Sequence, residues 1–368
     1  MIGLGFRYAL RDPMRFALTA GGLACAVVLT VFLAGVYRGA VRGSLSYVED
    51  VDAQIWVGRR GSWNLMRASG LLTRWKRDSV LAVPGVTIAE PILAALLPAT
   101  VGSGRRTLLV IGLDPDADAA RPRRLRAGRA IPDSNEIVVD EAFARRTGLA
   151  LGDSFDLAEH TVRVAGITRG TNLLVTQYAF VSRAELLDAI GVTDRATFLL
   201  VRTDGTDPVR VARAIEASVG AVAAFPRDTF IANNRQEIEA GFLPVLWAIA
   251  VLGIAVGGAV VAVMTYAAVL EKRADYVLLA AIGAGPGAQV QVVMQQAVLA
   301  AAVGSLVGLG ILAALQRLLP TAVPELPFTL DPAIALSAVA GAIGMAVLGA
   351  AIPGRLAARL PPLEALRR

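Results

Sequence analysis

Four long apolar stretches constrain what this chain can fold into more than any other feature. They cover residues 16–38, 240–270, 288–316 and 332–354. About 20 residues of apolar helix cross the hydrocarbon core of a bilayer, so each stretch is long enough to span a membrane. The block 39–239 between the first two stretches has the size of a domain. The sequence therefore predicts a membrane protein with four transmembrane α-helices and one large domain inserted between the first and second.

The distribution of basic residues predicts how the chain is oriented. Only 18% of the 368 residues are charged, against roughly a quarter in soluble proteins. The net charge of +6 lies largely beside the apolar stretches, which indicates a membrane surface rather than a nucleic acid as partner. The residues that decide the orientation are Arg7, Arg11, Arg15, Lys272, Arg273, Arg355, Arg359, Arg367 and Arg368.

Positively charged flanks stay in the cytoplasm. This rule places the amphipathic segment 1–15, the elbow 271–287 and the tail 355–368 inside, and 39–239 and the loop 317–331 outside. Arg38 and Arg42 mildly oppose it. We predict a multi-pass protein of the cytoplasmic (inner) membrane with both termini cytoplasmic. A cleaved signal peptide is the alternative for the first stretch, although its apolar core would be only about 7–15 residues long.

The block 39–239 contains both strand and helix patterns. Short alternating runs predict strands at 53–57, 107–113, 136–139, 161–167, 178–181 and 197–202. Helices are predicted at 140–147, 182–190 and 208–219. Ser182 and Glu185 form a capping box before the second helix, and Asp207 followed by proline begins the third. The mixture indicates an extracytoplasmic domain of the α+β class.

No set of residues in the sequence predicts catalysis or metal binding. The one cysteine, Cys25, lies in the first apolar stretch, and the one histidine, His160, lies in a predicted strand. Asp114, Asp116 and Asp118 alternate as in a calcium loop, but the glycine and glutamate of that motif are missing, so we interpret them as a solvated acidic turn. Neither of the two lysines, Lys76 and Lys272, lies in a phosphate-binding loop. We expect no enzyme activity and no cofactor in this chain.

The elbow 271–287 begins with charges and ends with an apolar patch. Glu271, Lys272, Arg273 and Asp275 fall within five residues and precede the patch 276–282. Glycine and proline at 283–287 then interrupt any continuous helix. The patch is too apolar to lie bare in water, which favours burial on the bilayer or in the groove of a partner. The alternative is that it forms the first turns of the next membrane helix.

The elbow resembles that of the FtsX-like permeases, the membrane subunits of MacB/LolCE-type ABC systems. The residues that carry this resemblance, with Tyr276 opening the patch, are Glu271, Lys272, Asp275, Leu278, Leu279, Ala281, Ile282, Gly283 and Ala284. Ala274 and Ala280 stand where that family usually has basic residues. The tail is similar as well, at Pro353, Arg355, Arg359, Leu366 and Arg367. The stretch 51–57, with Gly61 and Asn64 after it, looks most like the DevC-type branch.

This resemblance implies a permease subunit of an ABC exporter. The elbow would be a cytoplasmic coupling helix, and 39–239 a MacB-type periplasmic core domain. The implied partners are a dimer of ATPase subunits, which would hold ATP and Mg, a second permease copy and a periplasmic adaptor or membrane fusion protein. The DevC-like features imply an envelope lipid, glycolipid or other amphiphile as substrate.

Two other functions stay open at the level of sequence. One is an FtsX-like regulator that switches a cell-wall hydrolase and transports nothing. The other is a membrane receptor without an ATPase partner. The centres of the four apolar stretches contain no Asp, Glu, Lys, Arg or His, which an ion-coupled carrier would need at membrane depth. We therefore expect the spans to act as levers rather than as a channel.

A basic and aromatic segment at 59–77 is a candidate lipid contact. It contains Trp63, Leu65, Met66 and Trp75 among arginines and follows soon after the first span. Tryptophan favours the membrane interface, and arginine favours lipid phosphates. The alternative is a hairpin packed into the core of the domain.

Overall fold

The computed structural model describes residues 13–66, 68, 70–173, 176–271 and 285–357. The chain divides into two compact units. We call residues 1–37, 243–319 and 328–368 the membrane unit, and residues 38–242 and 320–327 the outer unit. The elbow, apart from its ends, and most of the tail lie outside the described residues.

The helices within the described residues are α1 (Pro13–Asp50), α2 (Arg74–Leu81), α3 (Glu141–Thr147), α4 (Arg183–Ala189), α5 (Pro208–Ser218), α6 (Arg227–Glu271), α7 (Pro286–Ala322) and α8 (Pro332–Ala357). The strands are β1 (Ile55–Arg59), β2 (Leu72–Thr73), β3 (Val86–Val101), β4 (Gly104–Leu113), β5 (Leu125–Gly128), β6 (Glu136–Asp140), β7 (Ser154–Leu157), β8 (His160–Thr168), β9 (Gln177–Ser182), β10 (Arg195–Ala196), β11 (Phe198–Thr203) and β12 (Val222–Pro226).

Four of these helices, α1, α6, α7 and α8, are long and apolar enough to cross a membrane. The predicted spans 16–38, 240–270, 288–316 and 332–354 all lie inside them. The predicted fold class, four transmembrane helices with a large α/β domain between the first and second, is thereby confirmed. Two of the helices extend well beyond the predicted spans, because α1 continues to Asp50 and α6 begins at Arg227.

One mixed sheet organises the outer unit. Its strand order is β12-β1-β11-β3-β4-β9-β6-β8-β5, and β7 pairs with β3 and β8. The pairs are antiparallel except β4 with β9 and β6 with β8. The long strand β3 joins the two halves of the sheet, because its part up to Ile92 pairs with β11 and its part from Leu93 pairs with β4. A second, small sheet is formed by β2 and β10.

The outer unit differs from the sequence-based expectation in several features. The alternation pattern does not predict β3, which contains Pro91 and Pro98. The helix α2 begins in the basic segment 59–77, where no helix is expected, and continues to Leu81. The predicted capping box is wrong, since Ser182 makes no side-chain cap bond and Glu185 instead accepts a hydrogen bond from the Asn135 N–H. The start of α5 is confirmed, because Asp207 accepts a bond from the Val209 N–H at 3.2 Å.

The helices of the membrane unit pack through small side chains. Leu23, Val261, Val293 and Ala346 are buried in one apolar cluster to which all four helices contribute. Gly304 of α7 lies so close to α1 that an added Cβ would be 2.4 Å from the Ala20 carbonyl oxygen. In a bilayer no hydrophobic effect drives helices together, so van der Waals packing of close backbones is a main source of helix association.

Substituting Gly304 by valine is expected to separate α7 from α1. The new side chain overlaps backbone atoms that cannot move aside alone, so we expect a loss of about 1–3 kcal/mol of folding stability. Thermal unfolding of the purified chain in nanodiscs measures it. Gly253→Val is the matched control, because a Cβ at Gly253 meets only Leu29, at 3.7 Å. Equal melting temperatures for the two variants would contradict the packing described here.

Candidate functional site

The last turns of α1 are anchored inside the outer unit by tyrosines. The Tyr47 hydroxyl is buried and donates to the Ala120 carbonyl oxygen at 3.0 Å. The Tyr178 hydroxyl donates in turn to the Ser44 carbonyl oxygen of α1 at 2.9 Å. Burial raises the pKa of Tyr47 and of Tyr178, so both phenols remain donors at all physiological pH values. The outer part of α1 is therefore fixed to the sheet by hydrogen bonds as well as by apolar contact.

The first turns of α6 are anchored by aromatic stacking. Phe230 is fully buried and stacks on Trp56 of β1, with ring centroids 4.4 Å apart and planes 12° apart. Phe198 of β11 meets the ring of Phe230 edge-on, with ring centroids 5.3 Å apart. One helical turn further on, the buried Asn234 side chain accepts a hydrogen bond from the Leu65 N–H at 3.0 Å. The start of α6 is thus part of the core of the outer unit.

The loop between α7 and α8 is held to the outer unit by a carboxylate. Glu325 Oε1 lies 3.1 Å from Arg106 Nη1 and 3.3 Å from Arg146 Nε, and its side chain is only 16% exposed. The Glu325 carbonyl oxygen accepts a further bond from Asn172 Nδ2 at 2.7 Å. Two guanidiniums around one shielded carboxylate make a stronger contact than an exposed pair. No local pattern could have predicted this contact, because 219 residues separate Arg106 from Glu325.

Glycines of α1 allow this loop and a neighbouring turn to approach closely. A Cβ at Gly39 would be 1.5 Å from the Pro327 carbonyl oxygen. A Cβ at Gly43 would be 1.8 Å from the Asn172 carbonyl oxygen. Only glycine fits at either position. The outer unit therefore holds every chain segment that enters it from a membrane span: the end of α1, the start of α6 and the loop 320–327.

The acidic segment after β4 is built into this arrangement. Glu90 accepts hydrogen bonds from the backbone N–H groups of Asp118, Ala119 and Ala120, at 3.1, 3.0 and 2.8 Å. The Arg202 guanidinium bonds to Asp118, which lowers the pKa of that carboxyl. Asp114 pairs with Arg183 at 2.6 Å. Asp116 and Asp118 are exposed, as expected for a solvated acidic turn, but Asp114 and Asp118 also pair with arginines, which the sequence did not predict.

Of the predicted elbow residues, only Glu271 is described. It is the last residue of α6, is exposed and forms an ion pair with Arg15 of α1. The other predicted coupling residues lie outside the described residues: Lys272, Asp275, Tyr276, Leu278, Leu279, Ala281, Ile282, Gly283 and Ala284. In the tail, Pro353 is buried within α8 and Arg355 is exposed. Arg359, Leu366 and Arg367 also lie outside the described residues.

The four predicted lipid-contact residues do not share one environment. Leu65 is buried and Trp63 is half-buried, whereas Met66 and Trp75 are 46% and 59% exposed. Leu65 is held by α6 through Asn234, as described above. Trp75 lies on α2. A lipid contact in this segment would therefore involve Met66 and Trp75 more directly than Leu65.

The described residues contain no group of three His, Cys, Asp or Glu side chains that could hold a metal ion. His160 begins β8 and is exposed, with Nδ1 3.0 Å from the Ala158 carbonyl oxygen.

Comparison with protein families gives two matches that together cover most of the chain. Residues 16–218 match the MacB-like periplasmic core domain. Residues 247–362 match the FtsX-like permease C-terminal domain. The gap between these two matches, residues 219–246, begins directly after α5 and ends within α6.

Individual relatives agree with these matches. A Mycobacterium tuberculosis protein named as an uncharacterized ABC transporter permease is 25% identical over 351 residues, which cover 92% of this chain and 93% of that one. The macrolide export ATP-binding/permease protein MacB of Chromobacterium violaceum is 25% identical over 389 residues, which cover 97% of this chain and 59% of that one. The MacB of Neisseria gonorrhoeae is 32% identical over 146 residues, 38% of this chain and 23% of that one.

Two solved structures resemble part of the chain. The extracellular domain of the ABC-type transporter YknZ from Gram-positive bacteria aligns with a TM-score of 0.37 and 14% identity, covering 46% of this chain and 98% of that domain. The periplasmic region of MacB from Actinobacillus actinomycetemcomitans aligns with a TM-score of 0.39 and 14% identity, covering 52% of this chain and 95% of that region.

Proposed function

Because this chain belongs to the family of MacB-type ABC transporter permeases with an FtsX-like C-terminal domain, we propose that it couples ATP hydrolysis on a separate ATPase subunit to movement of its outer unit. That movement exports or extracts a lipid, a glycolipid or another amphiphile, and delivers it to a periplasmic adaptor. ATP and Mg bind the ATPase partner and not this chain. The permease acts as a dimer, with both termini in the cytoplasm of a bacterial cell.

One observation supports this proposal above the others. The helices α1 and α6 each continue from a membrane span into residues that are buried in the core of the outer unit. Tyr47 and Phe230, near the outer ends of these helices, are 1% and 0% exposed. A helix that is packed at its end transmits tilt or translation, because a close-packed core deforms very little.

The composition of the spans supports a lever rather than a channel. Residues 16–37, 240–270, 288–316 and 332–354 contain no charged residue and no histidine. An ion-coupled carrier keeps such groups at membrane depth, despite their cost, because its mechanism needs them. Energy would therefore reach the outer unit mechanically, by pressure of the ATPase on the elbow.

A distance measurement across the permease dimer tests this function. Cys25 is the only cysteine and is replaced by alanine; Ser103, at the exposed turn between β3 and β4, is replaced by cysteine and spin-labelled. Gly128 is unsuitable, because a Cβ there would lie 2.2 Å from the Ala165 carbonyl oxygen. We expect ATP to change the distance between the two labels when the intact ATPase is bound.

An ATPase-dead partner should leave that distance unchanged, and so should a proton ionophore. A distance that ignores ATP but follows the proton gradient would refute the mechanism. A regulator of a cell-wall hydrolase would show the same movement, so a pull-down is needed as well. Recovery of a periplasmic adaptor supports export, and recovery of a hydrolase instead supports regulation.

A further inference from the structure

A cavity of about 260 Å³ in the outer unit is lined by four guanidinium groups. It lies where α2, the small sheet of β2 and β10, and the start of α4 meet β3 and β11. We call it the arginine cavity. Its polar lining consists of Thr73, Arg74, Arg77, Arg183, Asp194 and Arg195.

The charges of the arginine cavity do not balance. Arg183 is neutralised by Asp114, and Arg74 lies 4.0 Å from Asp194. Arg77 donates its Nε–H to the neutral carbonyl oxygen of Ala89 at 2.8 Å. Arg195 has no carboxylate within 4.0 Å among the described residues. Four guanidiniums against two carboxylates leave two positive charges, which matches the charge of a phosphate monoester.

A buried hydroxyl in the cavity wall also lacks a partner. Thr73 Oγ1 is inaccessible to solvent and makes no hydrogen bond. A buried polar atom without a partner costs roughly 1–3 kcal/mol, so such atoms call for an explanation. Thr73 is the N-cap residue of α2, yet its side chain makes no cap bond. Thr73 therefore does not cap α2, and the first N–H groups of this helix are left without that side-chain acceptor.

The first turn of α2 breaks a further rule. Helices favour acidic side chains at their N-terminus, where free N–H groups and the helix dipole are positive. The first turn of α2 contains no acid, and Arg74 and Arg77 place positive charge there instead. This repulsion is relieved when an anion binds at the same end of the helix. Local conflicts of this kind are expected at functional sites.

We propose that the arginine cavity binds a phosphate group in its dianionic form. Guanidinium forks match phosphate oxygens in geometry, and the helix N-terminus supplies further donors. The phosphate belongs either to a soluble phosphate monoester or inorganic phosphate, or to a lipid headgroup that ends in a phosphate monoester, as in phosphatidic acid. This site requires no ATP hydrolysis, so its binding is measured without the ATPase and is independent of the function proposed above.

Calorimetric titration of the full chain, in nanodiscs of phosphatidylcholine and in phosphate-free buffer, tests the site. The probes are inorganic phosphate, glycerol 3-phosphate and dihexanoyl phosphatidic acid. We expect saturable binding and a melting temperature that rises with probe concentration. Similar affinity for all three probes identifies a soluble phosphate as the ligand. Binding of the phosphatidic acid about tenfold tighter than glycerol 3-phosphate identifies a lipid headgroup.

The variant Arg74→Gln with Arg195→Gln removes two cavity charges. The only ion pair it removes among the described residues is the exposed one between Arg74 and Asp194, whose atoms are 4.0 Å apart, so we expect the fold to be retained. Its dissociation constant should rise about tenfold or more. Arg105→Gln with Arg213→Gln is the matched control, because both residues are exposed and lie outside the cavity. Its dissociation constant should stay that of the parent chain.

Arg195→Gln alone provides the second variant, which separates binding from folding. It should weaken phosphate binding while leaving the melting temperature of the unliganded chain unchanged, because Arg195 lines the cavity and makes no ion pair among the described residues. Absence of saturable binding by every probe would overturn the proposal. An equal dissociation constant for the cavity variant and the matched control would overturn it too.

Discussion

Replacing Phe230 by alanine is expected to release α6 from the outer unit. Phe230 is fully buried between Trp56 and Phe198, so the substitution removes both ring contacts and leaves a cavity. Substitutions of this type cost about 3–5 kcal/mol, which is a large part of the stability of a typical domain. We expect a marked fall in the melting temperature of the outer unit in nanodiscs, and faster proteolysis at the start of α6.

The same variant tests transmission as well as stability. At a temperature where the outer unit remains folded, the ATP-dependent change in the Ser103 label distance should shrink, because the packed end of one lever is loosened. Phe225→Ala is the control in the same cluster, since Phe225 is only half-buried and its ring centre is 6.1 Å from that of Phe230. If Phe225→Ala lowers the melting temperature as much as Phe230→Ala, then Phe230 is not the anchor of α6.

The spans and several strands could be predicted because their signals are local. A charge-free apolar run such as 16–37 has few alternatives to a membrane helix. The alternation at 161–167 is likewise sufficient to indicate β8. The strand β3 escapes this logic, because Pro91 and Pro98 lack N–H groups and are typical of strand edges or interruptions. Its pairing with β11 and β4 is decided by the rest of the sheet.

The anchors of the outer unit could not be predicted, because they depend on contacts distant in sequence. Glu325 lies in a proline-rich loop whose pattern gives no reason to expect Arg106 and Arg146 as partners. Thr73 and Arg195 lie opposite each other on the paired strands β2 and β10, although 122 residues of sequence separate them.

The elbow is the opposite case. Its prediction rests on the sequence alone, since 272–284 lie outside the described residues, and it needs its own experiment.

Replacing Leu278 or Leu279 by aspartate is expected to uncouple the permease from its ATPase. The apolar patch 276–282 of the elbow would lose the burial of one large side chain, about 1.5–3 kcal/mol, and a carboxylate would have to be desolvated in the same groove. The ATPase should then fail to co-purify with the permease, and ATP should no longer change the Ser103 label distance. The thermal unfolding of the outer unit should be unaffected.

Leu151→Asp is the matched control for this prediction. Leu151 is 45% exposed on the outer unit, so the same change of side chain occurs on the other side of the proposed topology. It should leave the binding of the ATPase unaltered, because Leu151 is not part of the elbow that docks into the groove of the ATPase. If the Leu278 and Leu279 variants retain the ATPase and full activity, the patch is not the docking element. Coupling would then have to enter through another cytoplasmic segment, for which the Arg15–Glu271 ion pair at the ends of two spans is the structural starting point.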